Sequence, residues 1–217
     1  MIRRFVFLLT FTISFQTFSK NILIIGDSHG ALSQGWAHQL AEMRANDSIF
    51  NLAISGNTIG FQNNGQDTLN TLKNIDSYFE RAEKHFKQID AIIILLGTND
   101  CKAVFASKTK EVEQNLDSLL TKINEYFLSN KTPQLIYVSP PPMADDKFLA
   151  AKYVGGNERL KTLVKTIKTQ ATKHHFTFVD IFHPLWKERN TLTADGVHYK
   201  PEGYKKMADI IRKKLNQ

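Results

Sequence analysis

The sequence predicts one three-layer α/β domain built on a five-stranded parallel sheet. Three observations carry that expectation: apolar runs of strand length, amphipathic helical periods between them, and alternation of the two along the chain. The length, 217 residues, suits a single domain of this class. A chain of that size, 42% hydrophobic and 23% charged, can bury a full core, so a disordered reading is set aside.

The first strand falls at residues 22–25, Ile-Leu-Ile-Ile. A weaker run covers 49–54, and further runs lie at 92–96, 135–138 and 176–179. These runs are apolar at successive positions rather than at every second one. That pattern fits strands buried on both faces, as in a parallel sheet with helices on each side. Between and after the strands, helical periods recur. Val112, Leu116, Leu119, Leu120 and Ile123 share one helical face, and Leu160, Leu163, Val164, Ile167 and Ala171 share another. Tyr204, Met207, Ala208, Ile211 and Leu215 form a third, after Pro201 at a suitable first helical position. The Gly- and Asn-rich stretch 56–65 reads as a surface loop, and Ser139-Pro140-Pro141-Pro142-Met143 as a loop of rigid backbone. No linker, repeat or low-complexity segment interrupts the series.

Residues 1–19 read as a secretory signal peptide, leaving 20–217 as the domain. Arg3 and Arg4 form a basic start, Phe5 to Phe15 an apolar run, and the small residues Thr17 and Ser19 place cleavage near Ser19–Lys20. The run is short for a membrane span. The competing reading is an uncleaved interfacial anchor. With no cysteine near the cut, a lipoprotein anchor is excluded. The expected location is periplasmic or extracellular, without stable membrane insertion after cleavage. Cys101 is the only cysteine, so neither an intrachain disulfide nor a Cys-based zinc site is expected. The formal charge is +7, and removing residues 1–19 lowers it by two. The remaining lysines, such as Lys205, Lys206, Lys213 and Lys214, sit on amphipathic segments. They suit solvated helix faces better than a nucleic-acid stripe.

Four polar segments follow the strands, where a parallel α/β sheet collects its functional groups. They are Gly26-Asp27-Ser28-His29-Gly30, Ser55-Gly56-Asn57, Gly97-Thr98-Asn99-Asp100 and Asp195-Gly196-Val197-His198. Taken singly, each has a plain structural use. Ser28 would cap a helix, Gly56 would serve a turn, Asn99 and Asp100 would cap a helix start, and Asp195 with His198 would pair in a loop. Taken together, a hydroxyl, a backbone-exposing glycine, a side-chain amide and an acid–imidazole pair are the parts needed for acyl transfer.

The four segments, in this order and at these separations, resemble the conserved blocks of the SGNH (GDSL-type) hydrolases over roughly residues 21–215. His29 stands where leucine is common in that family, a departure that bears on substrate preference. The resemblance implies a flavodoxin-like sheet of order 2-1-3-4-5. It also implies hydrolysis of esters or thioesters without a metal or other cofactor. Ser28 would be the nucleophile and His198 its general base, because a serine hydroxyl needs a base and an imidazole titrates close enough to neutrality to act as one. Asp195 would orient the imidazole. The backbone N–H groups of Ser28 and Gly56 and the side-chain amide of Asn99 would form the oxyanion hole. Asp27 is expected to be a structural hydrogen-bonding group, and His174 and His175 surface or capping groups.

Export, and the likeness of Gly97-Thr98-Asn99-Asp100-Cys101-Lys102 to the third block of small-acyl esterases, point to a carbohydrate O-acetylesterase acting on an acetylated glycan. A lysophospholipase or thioesterase of the same fold and a glycan O-acetyltransferase are the alternatives. A non-catalytic glycan-binding protein is disfavoured by the complete Ser–His–Asp set.

Overall fold

A computed structural model describes residues 19–128 and 132–215. The proposed signal peptide, apart from Ser19, lies outside the described residues. The strands are β1 (Asn21–Gly26), β2 (Ser48–Asn51), β3 (Ala91–Leu95), β4 (Gln134–Val138) and β5 (Thr177–Val179). All neighbours pair parallel, in the order β2-β1-β3-β4-β5. The expected three-layer sandwich with a five-stranded parallel sheet is therefore the observed fold.

Strand period explains the two cores. Leu23 and Ile25 of β1, Ile92 and Ile94 of β3, and Leu135 and Tyr137 of β4 point to one face. Ile22, Ile24, Ile93, Leu95, Ile136 and Val138 point to the other. The long helices α3 (Thr71–His85), α4 (Thr109–Tyr126) and α5 (Gly156–Lys173) cover the first face; α2 (Trp36–Met43) and α8 (Pro201–Leu215) cover the second. Short helices complete the chain: α1 (Ser28–Ala31) precedes α2, while α6 (Phe182–Leu185) and α7 (Arg189–Leu192) follow β5. The weaker second run is an edge strand whose side chains are only partly covered. It leaves the strand after Asn51, although the N–H groups of Leu52 and Ile54 still bond the carbonyls of Ile24 and Gly26. Among the described residues no helix is long and apolar enough to cross a membrane.

The chain moves outward from β1 to β2 and then returns to β3 on the opposite side of β1. Loops leaving β1 and β3 therefore diverge, and the crevice between them is where such sheets place ligands.

Candidate active site

β1 delivers Ser28 to this crevice. Asp27, in extended backbone, is the N-cap of α1, and its Oδ1 accepts the His29 N–H at 3.0 Å. The cap of this helix is thus Asp27, and Ser28 occupies the first helical position with its side chain free for another use. An N–H at that position has no acceptor within its own helix. Ser28 is only 8% exposed.

The turn before α8 brings up His198. Asp195 Oδ1 accepts the N–H groups of Val197 (2.9 Å) and His198 (2.7 Å), while Asp195 Oδ2 lies 2.7 Å from His198 Nδ1. The other ring nitrogen, Nε2, lies 2.8 Å from Ser28 Oγ. With Nδ1–H donated to the carboxylate, Nε2 is left to accept the serine proton. Partial burial works to raise the Asp195 pKa. The His198 ring and the two backbone N–H groups outweigh it and hold the carboxyl down at about 2. Gly196 makes the turn possible: its φ is +85°, and a Cβ there would stand 2.6 Å from the Phe148 carbonyl oxygen.

Gly56 and Asn99 arrive on the loops after β2 and β3. Gly56 has φ +93°, and its N–H makes no hydrogen bond among the described residues. Asn99 is 3% exposed; its Nδ2 donates to the Asn57 carbonyl at 2.9 Å, which leaves one amide hydrogen over. Asn57 ties the loops together, because its own Nδ2 donates to the Gly26 carbonyl (3.1 Å) and to Tyr78 Oη (3.0 Å). Neither Asn99 nor Asp100 caps an α-helix; both lie in a short 3-10 helix, Asn99–Cys101, that follows Thr98. Both carboxyl oxygens of Asp100 accept the Ile59 N–H, at 3.0 and 3.1 Å, which fastens the β3 loop to the β2 loop. The structure thus brings Ser28, His198 and Asp195 into direct contact and stitches the loops carrying Gly56 and Asn99 to the end of β1.

Two buried groups lie behind these loops. Burial pushes the carboxyls of Asp27 and Asp100 up to about 7. His29 is buried rather than facing a ligand. Its ring packs 5.7 Å from the His198 ring and 5.9 Å from Tyr204, with Nδ1 3.2 Å from Tyr204 Oη. Burial, and then the neighbouring His198, push its pKa down to about 3, so it is a neutral packing residue beneath the His198 ring. His29 is 1% exposed, and its packing contact within the site is the His198 ring. His174 is the C-cap of α5, its backbone N–H donating to the Gln170 carbonyl and its Nε2 2.7 Å from Asp117 Oδ1; with its side chain 11% exposed it fills the expected capping role. Among the described residues no three His, Cys, Asp or Glu side chains converge as a metal site requires.

With this geometry in place, comparison with known proteins is decisive on kinship. Residues 24–206 match the GDSL-like Lipase/Acylhydrolase family. The chain belongs to this family. It is thereby an ester hydrolase by kinship, and the resemblance carried by the four segments holds. Solved relatives share the architecture. A carbohydrate acetylesterase from Sinorhizobium meliloti superposes with a TM-score of 0.71 at 21% identity, covering 91% of this chain and 99% of that one. An aryl esterase from M. smegmatis gives 0.70 at 20%, covering 91% and 99%. A lipase/acylhydrolase from Enterococcus faecalis gives 0.66 at 18%, covering 90% and 95%. At these identities the likeness establishes the fold of this GDSL-type hydrolase. No curated protein sequence matches the chain significantly.

Three polar residues of the site region are given no role by the sequence motifs. Tyr153 Oη donates to Asn99 Oδ1 at 3.1 Å, Asn63 Nδ2 donates to the Gly56 carbonyl at 2.6 Å, and Lys102 Nζ donates to Asn63 Oδ1 at 2.9 Å. The one sequence signal available was that Lys102 closes the third segment and Asn63 lies in the Gly/Asn-rich loop.

Proposed function

We propose that this chain is an exported serine esterase that removes O-acetyl groups from carbohydrate through an acyl-enzyme on Ser28. The observation that carries the reading is the continuous line from Ser28 Oγ through His198 Nε2 and Nδ1 to Asp195 Oδ2, with contacts of 2.8 and 2.7 Å. As Ser28 Oγ forms its bond to the ester carbonyl carbon, its proton passes to His198 Nε2. Asp195 stabilises the imidazolium through Nδ1–H. The carbonyl oxygen becomes an oxyanion, received by the N–H groups of Ser28 and Gly56 and the unengaged Nδ2–H of Asn99. Collapse breaks the bond to the alcohol oxygen, which leaves with the proton from His198. Water then repeats the sequence, giving its proton to His198, releasing the acid and restoring Ser28.

The preference for an acetyl ester of carbohydrate is supported by the third segment and by the solved carbohydrate acetylesterase of the same fold. Export is supported by Arg3, Arg4 and the Phe5–Phe15 run. The test is turnover of acetylated xylan, pectin fragments, lysophospholipid and 4-nitrophenyl esters of increasing chain length. Acetyl esters should be turned over faster than octanoyl esters, with sugar acetate released. A rate that climbs steadily with chain length contradicts the acetyl reading in favour of a lysophospholipase. N-terminal sequencing of the mature protein should begin near Lys20; a product that still starts at Met1 contradicts cleavage.

A further inference from the structure

The two outer oxyanion donors assigned above are each gripped from behind by a side chain outside the conserved segments, and one buried ammonium touches both grips. Asn63, 2% exposed, donates to the Gly56 carbonyl at 2.6 Å and accepts from Lys102 Nζ at 2.9 Å. Tyr153 donates to Asn99 Oδ1 at 3.1 Å, and Lys102 Nζ stands 5.9 Å from the centre of its ring, within cation–π range.

Lys102 is an expensive choice for this place. It is 95% buried, and its hydrogen bond goes to a neutral amide. Lys152, a like charge 5.5 Å from the same ring, adds to the cost. Among the described residues Lys102 forms no ion pair, and the buried Asp100 carboxyl is the acid that offsets its charge. A buried ammonium held mainly by a neutral amide does not add to the stability of the fold, so packing does not account for it.

Geometry shows what the contacts can do. Gly56 sits at φ +93°, a torsion free to move in a residue without a Cβ. That torsion, together with ψ, sets the direction of the Gly56 N–H relative to the carbonyl that Asn63 holds. Asn99 has its oxygen fixed by Tyr153 and one amide hydrogen fixed by the Asn57 carbonyl. Its remaining amide hydrogen then has a single direction. Donors stabilise an oxyanion strongly when they are aimed before charge develops.

We propose that Lys102, Asn63 and Tyr153 are positioning residues: Lys102 and Asn63 aim the Gly56 N–H, and Tyr153, braced by Lys102, aims the Asn99 amide. This rests on the oxyanion-hole reading given under Proposed function. Among the described residues none of the three hydrogen-bonds Ser28, His198 or Asp195; their hydrogen bonds run to Gly56, to Asn99 and to one another.

The experiment measures kcat and KM on 4-nitrophenyl acetate for Lys102→Met, Asn63→Ala, Tyr153→Phe and Asn99→Ala. The pairs Lys102→Met/Asn63→Ala and Tyr153→Phe/Asn99→Ala are measured alongside, each with its thermal unfolding midpoint. Each positioning variant should lose about tenfold in kcat with KM held within about threefold. Each pair should fall within about twofold of its worse single variant, because the second change finds its target already gone. A positioning variant with wild-type kcat, a loss confined to KM, or losses that multiply in a pair overturns the residues of that arm. Should Lys102→Met fail to fold, Asn63→Ala decides the Gly56 arm and the Tyr153→Phe pair the Asn99 arm, since the latter removes one hydroxyl and keeps the ring. If Asn99→Ala itself keeps its kcat, the oxyanion-hole reading falls and takes the proposal with it. If Asn99→Ala collapses kcat while Tyr153→Phe does not, only the positioning role of Tyr153 falls.

Discussion

The chain folds an Asp-x-x-His turn twice, and the two copies are nearly the same object locally. In Asp180-Ile181-Phe182-His183, Asp180 Oδ1 accepts the His183 N–H at 3.1 Å and Oδ2 lies 2.6 Å from Nδ1. In Asp195-Gly196-Val197-His198 the corresponding contacts are both 2.7 Å. The surroundings separate them. The His183 side chain is 70% exposed, on the outer side of α6. His198 leans on the end of β1 and meets Ser28 Oγ at 2.8 Å, with the His29 ring packed against it. An oriented imidazole is thus a cheap local product of four residues. A base for a serine arises only where the sheet brings a hydroxyl to its second nitrogen.

That contrast sets the order of expected effects. Ser28→Ala and His198→Ala should each lower kcat for acetyl esters by about 10⁴-fold or more, and the double variant should be no worse, because the pair acts as a unit. Steady-state kinetics checks this, and multiplying losses would show two independent roles. Asp195→Asn should be roughly tenfold to a hundredfold milder than His198→Ala, since it removes the orienting group and leaves the base. Its pH–rate profile should change, because the imidazolium loses its carboxylate. Asn99→Ala should cost about 3 kcal/mol of transition-state stabilisation, read as a drop in kcat of a hundredfold or more with little change in KM. A loss in KM alone would make Asn99 a ground-state contact.

Asp27→Asn probes stability. The Asp27 carboxyl, raised to about 7 by burial, binds its proton more tightly folded than unfolded. Its contribution is therefore full below the unfolded value of 3.8 and lost as pH rises through about 7. Asp100 behaves in the same sense; His29, pushed down to about 3, works in the opposite sense below 6.5. The readout is accordingly the difference between wild type and Asp27→Asn in urea unfolding. The variant should gain on wild type from pH 4 to pH 7, and a pH-independent difference would show that Asp27 is ionised in the fold. His183→Ala should change kcat/KM by less than about twofold, as expected for a surface residue. A loss as large as that of His198→Ala would overturn the distinction between the turns.

The same contrast shows how far the sequence could be read. Strands buried on both faces announce themselves, because Ile22–Ile25 and Ile92–Leu95 are apolar at every position. Helix α3 is quieter: Thr71 and Ala82 are two of its five buried positions, so its apolar stripe is diluted. Within the site, the four segments are local patterns of a few residues, and they identify the family. What the local pattern cannot carry is long-range contact. Asn63 and Lys102 are 39 residues apart, and Tyr153 and Asn99 are 54 apart. Neither pairing has a periodicity or spacing to betray it. Ser28 likewise looks like a cap until Asp27 is seen to hold that place.

The central claim is that Ser28 is the residue acylated in turnover, with His198 activating it. Its most direct test is a fluorophosphonate probe followed by peptide mapping by mass spectrometry, on wild type, Ser28→Ala and His198→Ala. The adduct should fall on Ser28 alone, be absent from Ser28→Ala, and form far more slowly in His198→Ala. An adduct on any other residue, or labelling of Ser28 at the wild-type rate without His198, would contradict the account.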